Sequence, residues 1–378
     1  MSVNRPLTVL QMLPALHAGG VERGTLEIAR YLVQNGHRSL VMSNGGRMLA
    51  QLESEGSTHI NWDIGKKSLL TLRLIPGLRR FLIEQKIDIL HLRSRMPAWI
   101  GYLAWRGMDP ATRPRLVTTV HGAYTVNAYS AVMTKGERII AVSETIRKYI
   151  LNNYPQVDPA RIRLIYRGVD PQEFPYGYRP DKAWLDKWHN DYPQLTNKTV
   201  ITLPGRLTRW KGQLDFIQLI ARLKQAGLNV HGLIVGEADL KKLAFLHELQ
   251  TKISTLHLSE NISMIGHRSD LKEIMAVSDL VLSLSQDPEA FGRTTPEALS
   301  LGIPVAGYDH GGVGEVLRIL FPAGLVPPGD MDMLENTVRH CITHPGKVIE
   351  NTTFTLANMQ SGTFAVYQEL MNDKCSAT

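Results

Sequence analysis

The sequence predicts an α/β protein made of two doubly wound, parallel-sheet domains facing each other across a cleft. Three observations carry that expectation. The segment LTVLQMLPALHAGGVERGTLEIARYLVQNGHRSLVMS reads as an apolar strand, a Gly-containing loop, an amphipathic helix ending at Asn35-Gly36 and a second strand, which is one βαβ unit. Further on, TVITLPGRLTRWKGQLDFIQLIARLKQAGLNVHGLIVG repeats the plan. Ala29-Arg30 and Ala221-Arg222 occupy matching helix positions, and Gly36 and Gly227 close the two helices. Strands then alternate with helices through both halves, and alternation gives parallel sheets.

The elements follow in order. The first half continues through IDILHLRS, RLVTTVHG, RIIAVSE and IRLIYRGV, and the second through NISMIG, LVLSLS and PVAGY. Between them, DPQEFPYGYRPDKAWLDKWHNDYPQLTNK is rich in Pro, Tyr and charge without a sustained apolar period, and reads as a linker region. The predicted domains are therefore residues 1–170 and, with the linker, 171–345, followed by a terminal segment 346–378. Open parallel sheets bind ligands outside the carboxyl ends of their strands, so the chemistry should sit on strand-ending loops.

Bulk properties narrow the function. A chain of 378 residues suits two or three domains, each with its own core. Cys341 and Cys375 are too few for a disulfide framework, and MSVNRPLTVL lacks the apolar run and small-residue cleavage site of a secretory signal, so reducing cytosol is the expected compartment. No window reaches the length of apolar sequence that a spanning helix needs, so any membrane contact is made from the surface. The net charge of +7 divides into +11 over residues 1–170 and −4 over the rest. A basic half suits nucleic acid, an anionic bilayer or a phosphorylated substrate; without basic-aromatic interleaving or zinc-finger spacing, nucleic acid is not an expected partner.

Several strand-ending loops carry candidate chemistry. Gly19 and Gly20 lie between the first strand and the first helix, where a backbone without side chains can approach an anion; a tight turn with no ligand explains them equally well. The corresponding turn of the second half, Gly205 to Gly212, holds Arg206, Arg209 and Lys211. An Arg and a Lys there could grip a diphosphate, although solvated basic loops are common. In PEAFGRTTPEALSLGIPV, Glu289 precedes a glycine turn, and Phe291, Gly292, Arg293 and Thr294 fall at a helix start. Glu297 has a structural explanation too, because Thr294-x-x-Glu297 fits a capping box, with Thr295 before Pro296 as the other candidate cap. His121 ends the strand VTTVHG, either facing a ligand or satisfied within the structure.

Taken together, the Gly19-Gly20 loop, His121-Gly122, RGVD at 167–170, GRLTRWKG and the E-x7-E pair Glu289 and Glu297 followed by LGIPV resemble the retaining GT-B glycosyltransferases of family 4, group 1. The resemblance spans nearly the whole chain in the right order. It implies the GT-B fold and transfer of a sugar from a nucleotide-sugar donor with retention at the anomeric carbon, without a metal or other cofactor. By that resemblance Arg206 and Lys211 stabilise the departing diphosphate, aided by Gly19, Gly20 and the amides of Gly292 to Thr294 beside Phe291. Glu297 holds the ribose, Glu289 the donor sugar, and His121 the sugar or phosphate near the reacting centre. The base rests on the loop Gly266 to Asp270, which includes Arg268. The chain departs from the family pattern at Ala290, where Gly is usual, at Arg167, where Asn is usual, and in the polar run Arg293-Thr294-Thr295.

GGVERGTLEIARYL, SNGGR and SRMPAW resemble bacterial members that build lipopolysaccharide core or other surface polysaccharide, which implies a glycan or lipid-linked acceptor. Arg93, Arg95 and Trp99, on the loop after DILHL, are the candidate acceptor contacts. The segment KKSLLTLRLIPGLRRFLIEQK joins six cations to an apolar face, as interfacial helices do, and suits peripheral attachment to an anionic membrane surface; packing against the sheet accounts for it as well. The end of the chain, FAVYQELMNDKC, looks like the terminal helix that crosses back to the first domain in this fold. An epimerase or a phosphorylase of the same architecture, or a non-catalytic sugar-nucleotide binder, are the rival readings.

Overall fold

The computed structural model describes residues 5–17, 19–238, 243–344 and 346–376. Residues 1–4 of the first predicted domain, Ala18 of the first glycine loop, Pro345 at the end of the second predicted domain and residues 377–378 lie outside the described residues. The chain divides into two compact units, Met1–Arg167 with Leu356–Thr378, and Gly168–Thr355.

The first unit holds strands β1 (Thr8–Met12), β2 (Arg38–Ser43), β3 (Thr58–Asn61), β4 (Ile89–Leu92), β5 (Arg115–Val120), β6 (Arg138–Ala141) and β7 (Ile162–Leu164). They form one parallel sheet in the order β3-β2-β1-β4-β5-β6-β7, which reverses direction between β1 and β4. The central strands are apolar runs because helices cover both faces of such a sheet. On one face the helix Leu356–Ser376 places Met359, Val366, Tyr367 and Leu370 in a cluster with Val9, Ile89, Val117 and Ile140. A second cluster gathers Leu13, Leu16 and Val41 with Leu26 and Ala29 of the helix Gly20–Gln34. His91 of β4 is fully buried, yet both ring nitrogens are satisfied, by the Tyr367 hydroxyl at 2.7 Å and Thr119 Oγ1 at 2.6 Å. Burial, with Arg93 and Arg167 nearby, holds its pKa well below the usual value.

The second unit holds β8 (Thr199–Pro204), β9 (Val230–Val235), β10 (Ile262–Met264), β11 (Leu280–Ser283), β12 (Val305–Tyr308) and β13 (Leu325–Val326) in the order β10-β9-β8-β11-β12-β13, again parallel, with its reversal between β8 and β11. Its first helix, Gln213–Gln225, ends as the first helix of the other unit does. The N–H groups of Asn35 and Gly36 bond to the carbonyls of Tyr31 and Val33, and those of Ala226 and Gly227 to Arg222 and Lys224. Gly36 and Gly227 both take a left-handed φ, 76° and 80°. The repeat read from the sequence holds down to the helix stop.

One expectation changes. The stretch read as a linker contains the helix Lys182–Asp191, capped by Asp181, and that helix belongs to the second unit. Trp184, Trp188 and Tyr192 recur four residues apart, and Trp188 is buried in a cluster with Leu195, Val200, Leu233 and Ile274. A three-aromatic stripe supplies enough apolar area to seat a short helix, although the surrounding charge hides its period. Among the described residues, no helix is long and apolar enough to cross a membrane.

Candidate functional site

In each unit the strand order reverses, and the loops on either side of the reversal diverge and leave room for a ligand at the carboxyl edge. In the second unit those loops follow β8 and β11. The turn after β8 tightens into one 3-10 turn, Arg209–Lys211, then passes through Gly212 at φ 78° into the next helix. A Cβ on Gly212 would stand 2.0 Å from the Leu284 carbonyl oxygen, so only glycine lets the two loops meet. That meeting brings Lys211 Nζ to Glu289 Oε1 at 2.7 Å, with the Ser285 hydroxyl donating to the same oxygen. Both side chains keep about a sixth of their surface exposed, 17% and 16%. Lys211 also lies 4.5 Å from the centre of the Trp210 ring.

The other two cations of this turn part company. Arg209 is bound to Glu248 and lies over Phe245, away from the pair. Arg206 is exposed on the same turn, and its carbonyl accepts from Gln213 Nε2 at 3.0 Å.

Beyond Glu289 the chain turns through Gly292 at φ 74° into the short helix Thr294–Ser300. The capping box does not form. Arg293 occupies the cap position without a side-chain cap bond, and the Glu297 carboxylate, nearly buried, stands 3.7 Å from the Arg293 guanidinium. Arg293 also reaches the Gly168 carbonyl at 3.3 Å. Phe291 packs its ring on Phe354, centres 5.8 Å apart, so its side chain belongs to the core and its backbone to the turn.

A second glycine pair completes this edge, and sequence reasoning missed it. Gly311 and Gly312 follow β12, and the Gly312 N–H donates to the Glu289 carbonyl at 2.8 Å. A Cβ on either would strike the backbone of Glu289 or Phe291, at 2.5 and 2.3 Å. His310 donates to the Ser285 carbonyl at 2.7 Å and fixes the loop that carries Glu289. The signal was present: His-Gly-Gly-Val at 310–313 echoes the His-x-Gly-Gly-Val at 17–21.

Arg268 is held elsewhere along the edge. It pairs with Asp270 at 2.6 Å, and Asp270 also accepts from Trp184 Nε1 at 2.9 Å. The Arg268 hydrogen bonds draw the Asp270 carboxyl down to about 2. His267, Arg268, Trp184 and Trp188 line an open groove of about 380 Å³. Backbone bonds from Gly205 to Val235 and from Gly236 to Gly266 join the ends of β8, β9 and β10 into one rim.

In the first unit the reversal lies between β1 and β4. Gly19 precedes the helix Gly20–Gln34 at φ 146°, with Glu22 folded back so closely that a Cβ on Gly19 would lie 2.7 Å from its carboxylate. Arg93, at the end of β4, is 1% exposed. One of its nitrogens donates to Gln11 Oε1 at 2.7 Å, while Nε and the other terminal nitrogen are buried without a partner among the described residues. Burial lowers its pKa to about 10. Arg93 therefore lies beneath the surface, not on an exposed loop. His121, at the end of β5, meets the Arg167 guanidinium at 2.5 Å through Nδ1. Its Nε2 is buried with no partner among the described residues.

Arg95 and Trp99 also differ in placement from the loop predicted for them, since the helix Arg95–Arg106 begins at once after β4. Arg95 lies over the rings of Tyr124 and Tyr129, at 4.8 and 5.5 Å, and Trp99 Nε1 donates to the Tyr129 carbonyl at 2.9 Å. Both hold the segment after His121 against this helix.

Residues 18–173 match the family described as Glycosyltransferase Family 4, and residues 186–352 match Glycosyl transferases group 1. A solved glycosyltransferase from Rickettsia africae is 30% identical, with a TM-score of 0.87 over 97% of this chain and 99% of that one. The Anabaena protein Alr3699/HepE, solved in complex with UDP and glucose, has the same fold at 22% identity, with a TM-score of 0.76 over 98% of this chain and 100% of its own. N-acetyl-alpha-D-glucosaminyl L-malate synthase of Bacillus anthracis is 24% identical over 327 residues, which cover 81% of this chain and 79% of that protein.

Proposed function

The chain belongs to the group 1 glycosyltransferases, with a family 4 first half and the GT-B fold, and from that premise we propose a retaining transfer of a sugar from a nucleotide-sugar donor to a glycan or lipid-linked acceptor in bacterial lipopolysaccharide core or surface polysaccharide synthesis. The observation that carries it is the Lys211–Glu289 pair at the β8/β11 reversal. A lysine ammonium has three N–H donors. One is used on Glu289, and two remain for oxygens of a diphosphate. Glu289 in turn keeps Oε2 to accept from hydroxyls of the donor sugar. Arg206, exposed on the same turn, adds a planar fork for the phosphates.

Breaking the bond between the anomeric carbon and the diphosphate leaves negative charge on the leaving group. Lys211 and Arg206 stabilise that charge more in the transition state than in the bound donor, which is what accelerates the step. With two side-chain cations in that role, the transfer needs no divalent metal, and a chelator should leave turnover unchanged. Glu297 holds the ribose hydroxyls, the rim at Gly266 to Asp270 holds the base, and His121 contacts the sugar or phosphate. The Anabaena protein's complex with UDP supports a nucleotide donor.

The acceptor is placed at an anionic membrane surface on its cytoplasmic side. Lys66, Lys67, Arg73, Arg80 and Lys86 are all exposed along residues 66–86, and Leu70 and Ile83 expose 62% and 64% of their surface among them. Cations around exposed apolar side chains suit an interfacial helix.

The test is nucleotide diphosphate release from a panel of UDP-, GDP- and ADP-sugars, with the product anomer read by NMR. A retained anomer is expected. Donor binding without any release would assign the protein as a binder, and an inverted anomer would remove the retaining step. Flotation with anionic and neutral vesicles tests the surface; equal recovery would remove the membrane partner.

A further inference from the structure

The first unit contains an arrangement around His121 that the family resemblance does not supply, because it depends on Arg167, which stands where the family usually has Asn. We infer that Arg167 sets the tautomer of His121: its guanidinium donates to Nδ1, the proton stays on Nε2, and His121 meets the substrate as a hydrogen-bond donor and not as a base. This deepens the glycosyltransferase reading by giving Arg167 the role of a positioning residue, which acts through His121 without itself touching the donor.

A guanidinium carries only N–H groups and no lone pair to accept with, so the 2.5 Å contact requires Nδ1 to offer its own lone pair. A neutral imidazole whose Nδ1 accepts carries its proton on Nε2. Nε2 is sealed from solvent with no partner among the described residues, so a donor N–H stands there without an acceptor. A second proton could enter only at Nδ1, where it would break the bond and set a cation against Arg167.

The surroundings oppose that second charge from each packed element. Arg93 at the end of β4 and Arg167 after β7 both approach the first helix at Gly24. Their guanidinium nitrogens lie 3.2 and 3.3 Å from where a Cβ of Gly24 would be, so the absent side chain makes room for two cations beneath the histidine. His91 of β4 is neutral between its two hydroxyl partners. Tyr124 accepts from the His121 backbone N–H at 3.2 Å, and burial keeps its phenol protonated. The other Arg167 arm lies 3.7 Å from Met359 Sδ. Burial first, then Arg167, Arg93 and His91, depresses the His121 pKa well below its usual value, in agreement with the geometry.

An Nε2–H donor fixes what His121 can recognise once a neighbouring side chain shifts and uncovers it: an oxygen with a free lone pair, as on a sugar hydroxyl or a phosphate. It removes His121 from the list of bases that could take a proton from the acceptor.

The tautomer is read directly by ¹⁵N NMR of histidine-labelled protein, with His121→Gln identifying the resonance. The expected spectrum at pH 7 shows a neutral ring with the proton on Nε2. A ring protonated on Nδ1, or an imidazolium, overturns the inference whether or not the protein transfers sugar. Three variants separate charge from hydrogen bonding. Arg167→Lys keeps a donor-only cation and should keep the tautomer. Arg167→Gln removes the charge and can either donate to Nδ1 or accept from it, so the pKa of His121 should rise and the tautomer should no longer be fixed. Arg167→Met should give a mixture of tautomers, a fall in kcat of about tenfold with little change in donor KM, and a new acid limb in the pH profile. An unchanged tautomer and pH profile in Arg167→Met also overturns the inference. If that variant does not fold, the wild-type spectrum and the Lys and Gln variants decide it. Failure of donor turnover in the wild type, with the expected spectrum intact, would count against the enzyme reading and not against the tautomer.

Discussion

Lys211 and Glu289 are close enough to neutralise each other without a ligand, yet each stays open to solvent on one side. Most of each side chain is covered, so removing one partner leaves the other charge largely buried and unpaired, which costs stability. Lys211→Ala should therefore lower the melting temperature as well as lowering turnover by about two to three decades, as loss of one charge-stabilising donor does. Diphosphate release measured beside thermal melting checks this, and an unaltered rate in the folded variant contradicts the assigned role. The buried histidines act on stability. His91, His121 and His231 all have depressed pKa values, His231 down to about 4, chiefly through burial. As pH falls below the unfolded value of about 6.5, the unfolded chain takes up protons that the native chain refuses. Each histidine then costs about 1.4 kcal/mol per pH unit until its own folded pKa is reached, and nothing above pH 6.5. Urea midpoints measured from pH 7.5 to 5 should be level at first and then fall; a level curve throughout would count against neutral burial.

At the scale of elements, the β8 turn shows why the site needs its glycine. Gly212→Ala forces a side chain into a left-handed backbone and against the Leu284 carbonyl, which should cost about 1–3 kcal/mol and displace Lys211. Its melting temperature and turnover should fall together. Most strands were legible because they are buried on both faces and so carry uninterrupted apolar runs. β3 and β13 were not: β3 is a four-residue edge strand with exposed ends, and β13 has two residues. The helix Lys182–Asp191 escaped because its three aromatics are spaced among charges. In the site, Lys211 and Glu289 could be picked from the sequence, but their 2.7 Å contact could not, since 78 residues separate them. Arg167 was visible only as a departure from a pattern. Its hydrogen bond to His121 joins residues 46 apart, on segments that follow β5 and β7 with β6 between those strands, which no local spacing records.

For the molecule as a whole, the repeated βαβ start announced two sheets, and both have the strand reversal that creates a carboxyl-edge site. The charge division was legible as arithmetic; the membrane contact proposed for it depends on which cations are exposed, and that only folding decides. The chain leaves the first unit at Arg167 and returns to it at Leu356. Leu356–Ser376 covers Val9, Ile89 and Val117, so the core of the first unit cannot close until residues beyond 355 are in place. Residues 168–355 should fold cooperatively as an isolated fragment, whereas residues 1–167 should stay aggregation-prone until a synthetic 356–376 peptide is supplied in trans. A break in the chain just before Leu356 would thus leave the second unit whole and unseal the first.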